Sequence, residues 1–186
     1  EKLMASWRKV CFYYDKINNA SAASFTATNT ATGYAVASLY DMSTRNRWSA
    51  LDTTNPQYIT LDTGASGIKT MADYLCIQGH NLGDVNADQV TLQYSNDGSS
   101  WTNAFSLIAP VDNGIILKEF TSPGSRRYWR LYIYASAGMR VIPYMTICVW
   151  GMKTELDYVS GSFDPYQQDA QANINLSYGG VFVGAH

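Results

Sequence analysis

Hydrolytic chemistry near neutral pH needs a nucleophile beside a positioned base, or two carboxylates at a set separation. The sequence holds two histidines, His80 and His186. His186 stands at the end of the sequence, a poor place for a framework base, which leaves His80 alone. His80 follows Gly79 at the close of a strand-like run. A solitary histidine there is expected to cap the loop or bind a carbonyl. Zinc calls for three or four ligands, and no His/Cys spacing offers them. Cys11, Cys76 and Cys148 form an odd set without a CxxC motif. Cys76 lies in YLCIQ and Cys148 in TICVW, so buried free thiols are expected. A Gly-rich phosphate loop is also missing. The residues point to a protein that is not an enzyme and carries no cofactor.

Composition narrows the remaining classes. Apolar residues make up 46% of the 186, charged ones 15%, and the formal net charge is −2. No Lys/Arg cluster exceeds Arg126-Arg127, whereas nucleic-acid binding requires a basic stripe. The longest apolar run falls far short of the roughly 18 residues that a membrane span needs. Fourteen Tyr, five Trp and six Phe are many for this length. Aromatic residues suit β-sheets and, having one polar end, also suit contact surfaces.

These aromatics sit in runs of period two, the signature of half-buried strands. YITLDTG (58–64) places Ile59 and Leu61 on one face and Tyr58, Thr60 and Asp62 on the other. ADYLCIQG (72–79) is apolar on both faces, as in a strand packed on two sides. VTLQYS (90–95) sends Val90, Leu92 and Tyr94 one way. IILKEF (115–120) and RYWRLYIYA (127–135) continue the pattern, the latter with Trp129, Leu131 and Ile133 inward. MTICVWG (145–151) closes the series with Ile147 and Val149 inward. Between the runs lie Asp62-Thr63-Gly64, Asn96-Asp97-Gly98, Asp112-Asn113-Gly114 and Ser122-Pro123-Gly124, residues that tolerate tight turns. Asp97-Gly98 reads as a hairpin turn with Trp101 opening the return strand. GYAVASLYD (33–41) offers at most a single helical turn. The expected fold is all-β, a jelly-roll β-sandwich of about eight strands.

The flanks differ from this body. Residues 1–19 contain WRKVCFYYDKI, an expected extra strand with Val10, Phe12 and Tyr14 on one face. Residues 152–186 are polar but aromatic, with Phe163, Tyr166, Tyr178 and Phe182, and are expected to dock on a neighbouring domain or subunit. The sandwich itself is expected over 20–151. Tyr128, Tyr132 and Tyr134 share one strand face with Arg130. Such a row is expected to be a contact surface, either within the chain or between chains.

In order, SLYDMSTRNRWSA, YITLDTG, YLCIQGHNL, VTLQYSNDGSSWT, RRYWRLYIYA and MTICVWG resemble the successive signatures of a discoidin-like, galactose-binding-like domain. Together with FYYDKINNA, ATGYAVASLYD and the closing SYGGVFVG, the set is similar to discoidin-like proteins of tailed bacteriophages. That resemblance implies a virion structural protein of tail or capsid, located in the virion and partnered by other virion proteins or copies of itself. A second reading, a carbohydrate-binding module recognising host-surface glycans, follows from the same family. In sugar-binding members, end loops supply an aromatic platform with Arg, His and Asn donors. On this chain that implies Arg45, Arg47, Trp48, His80 and Asn81, set against core packing for Trp48 and pairing of Arg45 and Arg47 with Asp41 and Asp52. Many relatives also bind calcium near the first Asp, which corresponds to Asp41. The closing strand reads Tyr144-Met145-Thr146 with no carboxylate, thin provision for a cation wanting six to eight oxygens. Asp41 is therefore a weak calcium candidate.

Overall fold

The computed structural model describes residues 10–13, 24–64 and 70–156. Phe163, Tyr166, Tyr178 and Phe182 lie outside the described residues, as do most of the expected amino-terminal arm and carboxy-terminal extension. Residues Phe12–Thr154 make one compact unit, and Glu1–Cys11 with Glu155–His186 make another.

Twelve strands occur among the described residues, all short. They are β1 (Val10–Tyr13), β2 (Ser24–Ala27), β3 (Trp48–Ser49), β4 (Gln57–Asp62), β5 (Tyr74–Gln78) and β6 (Gln89–Ser95). The second half supplies β7 (Thr102–Asn103), β8 (Ile116–Glu119), β9 (Tyr128–Tyr134), β10 (Tyr144–Met145), β11 (Ile147–Gly151) and β12 (Lys153–Leu156). Among the described residues helix is confined to a 3-10 turn at Val36–Leu39 and one α turn, α1, at Leu82–Val85. One sheet has five strands in the order β2-β4-β9-β6-β7, and a facing sheet has β11-β5-β8. β3 pairs with β10, and β1 with β12. The pairings within the sandwich are antiparallel. The all-β sandwich expected from the alternating runs is the fold observed.

Alternation sets which side chains build the core. On β9, Trp129, Leu131 and Ile133 are fully buried while Tyr128, Arg130, Tyr132 and Tyr134 are half-buried on the outer face. Ile59 and Leu61 of β4 pair directly with Leu131 and Trp129 across the ladder, and Val90 and Leu92 of β6 complete the layer. Burial of side chains of this size is worth about 1.5–3 kcal/mol each.

The closing strand is buried at all five positions, Ile147 and Val149 included. Cys148 pairs with Ile77, and Trp150 with Leu75, and all four are essentially buried. These four share one face, and Ile147 and Val149 share the other with Gln78 and Cys76 while remaining buried. Period two gives no phase along β11, which is buried on both faces. The same register puts Cys76 and Cys148 on opposite faces of the sheet. Burial raises the pKa of the Cys76 thiol.

The hairpin in NDGSSW is held by Asp97. Its Oδ1 accepts the Ser99 and Ser100 backbone N–H groups, each at 2.8 Å, and the Ser95 hydroxyl at 2.8 Å. Those bonds to the charged form hold the carboxyl far below its usual range. Gly98 has φ 74°, and Trp101 packs edge-on against Tyr128 at 6.5 Å.

Gly79 marks the end of β5. Its φ is 61°, and a Cβ there would sit 2.2 Å from the Thr146 hydroxyl. Gly79→Ala combines a left-handed backbone with a steric clash. It should lower unfolding stability by at least about 2 kcal/mol in urea titrations. A loss within 0.5 kcal/mol would contradict this packing.

Candidate functional site

Trp48 of β3 is fully buried, and its indole Nε1–H donates to Thr30 Oγ1 at 3.2 Å. Side chains alternate along an extended chain, so Arg47 before it is directed outward, where it is exposed. β10 pairs Tyr144 with Ser49 and Met145 with Trp48, which brings Tyr144 alongside. Tyr34 arrives from the other direction. Its backbone N–H closes a turn on Ala31 O at 3.1 Å, with Gly33 at φ 86° supplying the left-handed third position. The 3-10 turn that follows is anchored by buried Leu39.

These elements enclose a cleft of about 490 Å³ lined by Gly33, Tyr34, Ser38, Thr44, Arg45, Asn46, Arg47, Tyr144 and Thr146. The Arg47 guanidinium lies 5.0 Å from the Tyr34 ring centre and 4.6 Å from that of Tyr144. Two rings thus hold one cation by cation–π attraction. The lining carries hydroxyl, amide and guanidinium groups and no Asp, Glu, His or Cys.

The loop over the cleft is organised by Asp41. Its Oδ1 accepts the Ser43 N–H at 2.7 Å and its Oδ2 accepts Asn46 Nδ2–H at 2.9 Å. The Asn46 bond first and the Ser43 bond second lower its pKa. Met42 takes φ 57°, a left-handed conformation costing a non-glycine residue roughly 1–2 kcal/mol. Among the described residues no group of three or more His, Cys, Asp or Glu gathers as metal ligands. Asp41 is the one carboxylate in this loop and both its oxygens already accept N–H groups, so the residues present do not fit a calcium site.

Of the five residues expected to bind ligand, Arg45 and Arg47 line the cleft. The other three are buried and hold the framework. Asn81 accepts the Tyr144 N–H on Oδ1 at 2.9 Å and donates from Nδ2 to Ile142 O at 2.9 Å. It fixes the backbone that presents Tyr144. Trp48 plays the equivalent part for Arg47. His80 Nδ1 accepts the Leu82 N–H at 3.1 Å, so Nε2 carries the proton and meets Gly114 O at 2.6 Å. The ring ties α1 to the 112–115 loop, with both nitrogens satisfied.

The expected pairing of Arg45 and Arg47 with Asp41 and Asp52 does not form. Asp52 Oδ1 accepts Asn29 Nδ2–H at 2.7 Å and the Thr54 N–H at 2.9 Å, leaving both carboxylates engaged by amides. Sequence reasoning missed Tyr34, Asn46 and Tyr144. Tyr34 and Tyr144 were legible as aromatics beside a turn and a strand end, but their meeting across 110 residues was not.

The expected contact row also has internal partners. Tyr132 stacks on Tyr134 at 6.1 Å and meets Tyr58 at 5.7 Å. Arg130 lies 4.2 Å from the Tyr58 ring and 3.9 Å from Trp101, with Nε on Gln93 Oε1 at 2.7 Å. The result is a half-buried ladder of rings and guanidinium on the outer sheet face. Among the described residues no helix is long and apolar enough to cross a membrane.

An antiparallel β-sandwich whose loops frame a cleft free of acid–base groups is the class that this geometry defines. The chain belongs to the F5/8 type C domain family, whose model matches residues 20–144. No curated protein matches it in sequence. Its fold is shared by chitosan-binding module 2, in complex with chitotriose, from a chitosanase/glucanase of Paenibacillus sp. IK-5. The TM-score there is 0.55 at 17% identity, covering 70% of this chain and 97% of that one. The CBM32 of AlyQ in complex with 4,5-unsaturated mannuronic acid gives TM-score 0.51 at 22% identity, covering 68% and 92%. A GH29 fucosidase of Ruminococcus gnavus in complex with fucose gives 0.58 at 17%, covering 74% of this chain but only 26% of that one. At these identities the likeness is one of fold.

Burial lowers the His80 pKa, an effect opposed by the Gly114 carbonyl and the Asp112 charge. The unfolded chain, with an ordinary histidine near 6.5, then binds more protons below that pH than the folded chain does. Stability should be full above pH 6.5 and fall as pH drops through it, by at most about 1.4 kcal/mol per pH unit. Urea titrations at pH 7.5 and 5.5 should show this loss in the parent protein and a flatter response in His80→Gln. Equal responses would refute the assignment.

Proposed function

We propose that the protein is a non-catalytic carbohydrate-binding module that holds its glycan in the cleft between Tyr34 and Tyr144. The observation that carries this reading is the Arg47 guanidinium bracketed by two tyrosine rings in a polar-lined cleft of about 490 Å³. That volume lies within the range of small-ligand sites. Aromatic edges and faces suit the C–H surfaces of a pyranose, and guanidinium, amide and hydroxyl groups read its hydroxyls. Because the rings immobilise Arg47 before ligand arrives, little side-chain entropy is lost on binding.

The neighbours in complex with chitotriose and 4,5-unsaturated mannuronic acid support glycan recognition. They favour it over virion assembly, so the second of the two sequence expectations moves first. The fucosidase, in which the matched region is 26% of the chain, supports a role as a targeting part joined to another activity.

A glycan array followed by calorimetry tests the proposal. Tyr144→Ala and Arg47→Ala should each weaken the best glycan at least tenfold, or about 1.4 kcal/mol, while far-ultraviolet circular dichroism stays unchanged. Trp48→Ala and His80→Ala are unsuitable probes because they remove core and loop ties. Absence of binding to every glycan at millimolar concentration, or undiminished binding in both cleft variants, would refute the proposal.

A further inference from the structure

Arg45 and Arg47 stand in the cleft wall without an ion-pair partner among the described residues. The ion pairs found there join Arg127 to Asp62 and Lys153 to Glu119. Asp41 and Asp52, the acids nearest in sequence, direct their oxygens to Asn46 and Ser43 and to Asn29 and Thr54. The wall therefore contains two guanidinium groups and no carboxylate. Arg130 shows the contrast, because its Nε is already bonded to Gln93 Oε1.

From this sign imbalance we infer that the cleft selects an acidic glycan whose sugar carboxylate, a hexuronate, faces Arg45 and Arg47. The inference rests on the glycan-binding reading and narrows it to one substrate class. A guanidinium presents parallel N–H donors matched to the two oxygens of a carboxylate, and such charged bonds are roughly twice as strong as neutral ones. A neutral sugar would leave that complement unused. A polymer of glucosamine carries positive charge and would meet like charge in the wall. Asp41 contributes by holding Asn46 and the loop, which keeps its own oxygens from capping the arginines.

Calorimetry on the full chain with a set of trisaccharides tests the inference. The probes are a galacturonate trimer, a mannuronate trimer, the carboxyl-reduced form of each bound uronate, and a glucosamine trimer. At least one uronate trimer should bind tenfold or more tighter than its reduced form, and the glucosamine trimer weakest of all. The uronate advantage should shrink severalfold when salt rises from about 0.05 to 0.5 M, since screening lengths fall below 10 Å. Arg45→Gln, an exposed position, should cut the uronate-to-reduced ratio severalfold. Reduced or glucosamine trimers binding as tightly as the uronates would overturn the inference while leaving glycan binding standing. If none of the trimers and no array glycan binds, both readings fail together.

Discussion

Trp48 lies in the core with its indole N–H on Thr30, and the cleft takes its shape from that burial. With Trp48 directed inward, the alternation of an extended chain leaves Arg47 no direction but outward. The antiparallel partner strand then carries Tyr144 to its side, and buried Asn81 clamps the backbone of that strand from beneath. The third wall, Tyr34, hangs from a turn whose next segment is pinned by Leu39. Arg47 and Tyr144 thus each adjoin a buried residue, Trp48 and Met145, and Tyr34 is held through the turn that leads to Leu39. Sites built in this way are preorganised, which reduces the entropy lost on binding.

The arginines divide by what holds them. Arg127 makes two bonds to Asp62, at 2.8 and 3.1 Å, and that carboxyl is held below its usual range by the guanidinium. Arg130 is desolvated among rings, which lowers its pKa. Both belong to the outer sheet face and act as part of its structure. Arg45 and Arg47 lie on the loop side, where amides rather than arginines satisfy the local carboxylates. Nearly the same residue types therefore form a closed network on the sheet and an open donor set at the cleft.

A left-handed Met42 fits this division. Its backbone cost is borne by a loop whose two ends are fixed, by Leu39 on one side and Trp48 on the other. Between them Asp41 supplies the internal bonds. A carboxylate used as a loop brace cannot also serve as a cation ligand with free oxygens, and the same bonds account for both its lowered pKa and the poor fit to calcium.

The sandwich was legible in the alternating runs because burying one sheet face leaves period two in the residues. Ile59, Leu61, Trp129, Leu131 and Ile133 all lie where that period puts them. It carries no phase at β11, where both faces are buried and only the register says which residues share a face with Leu75 and Ile77. Among site residues, the chemistry of Arg45 and Arg47 was visible locally. His80 and Asn81 were polar and beside a turn, which describes a ligand and a buried brace equally well. What separates these is whether their polar atoms find carbonyls and amides far along the chain, at Gly114, Ile142 and Tyr144. Residue type and spacing alone thus determined most of the strands and the turns between them. Only the tertiary structure decided which polar groups face solvent, because that depends on partners brought together by the sheets across long stretches of chain.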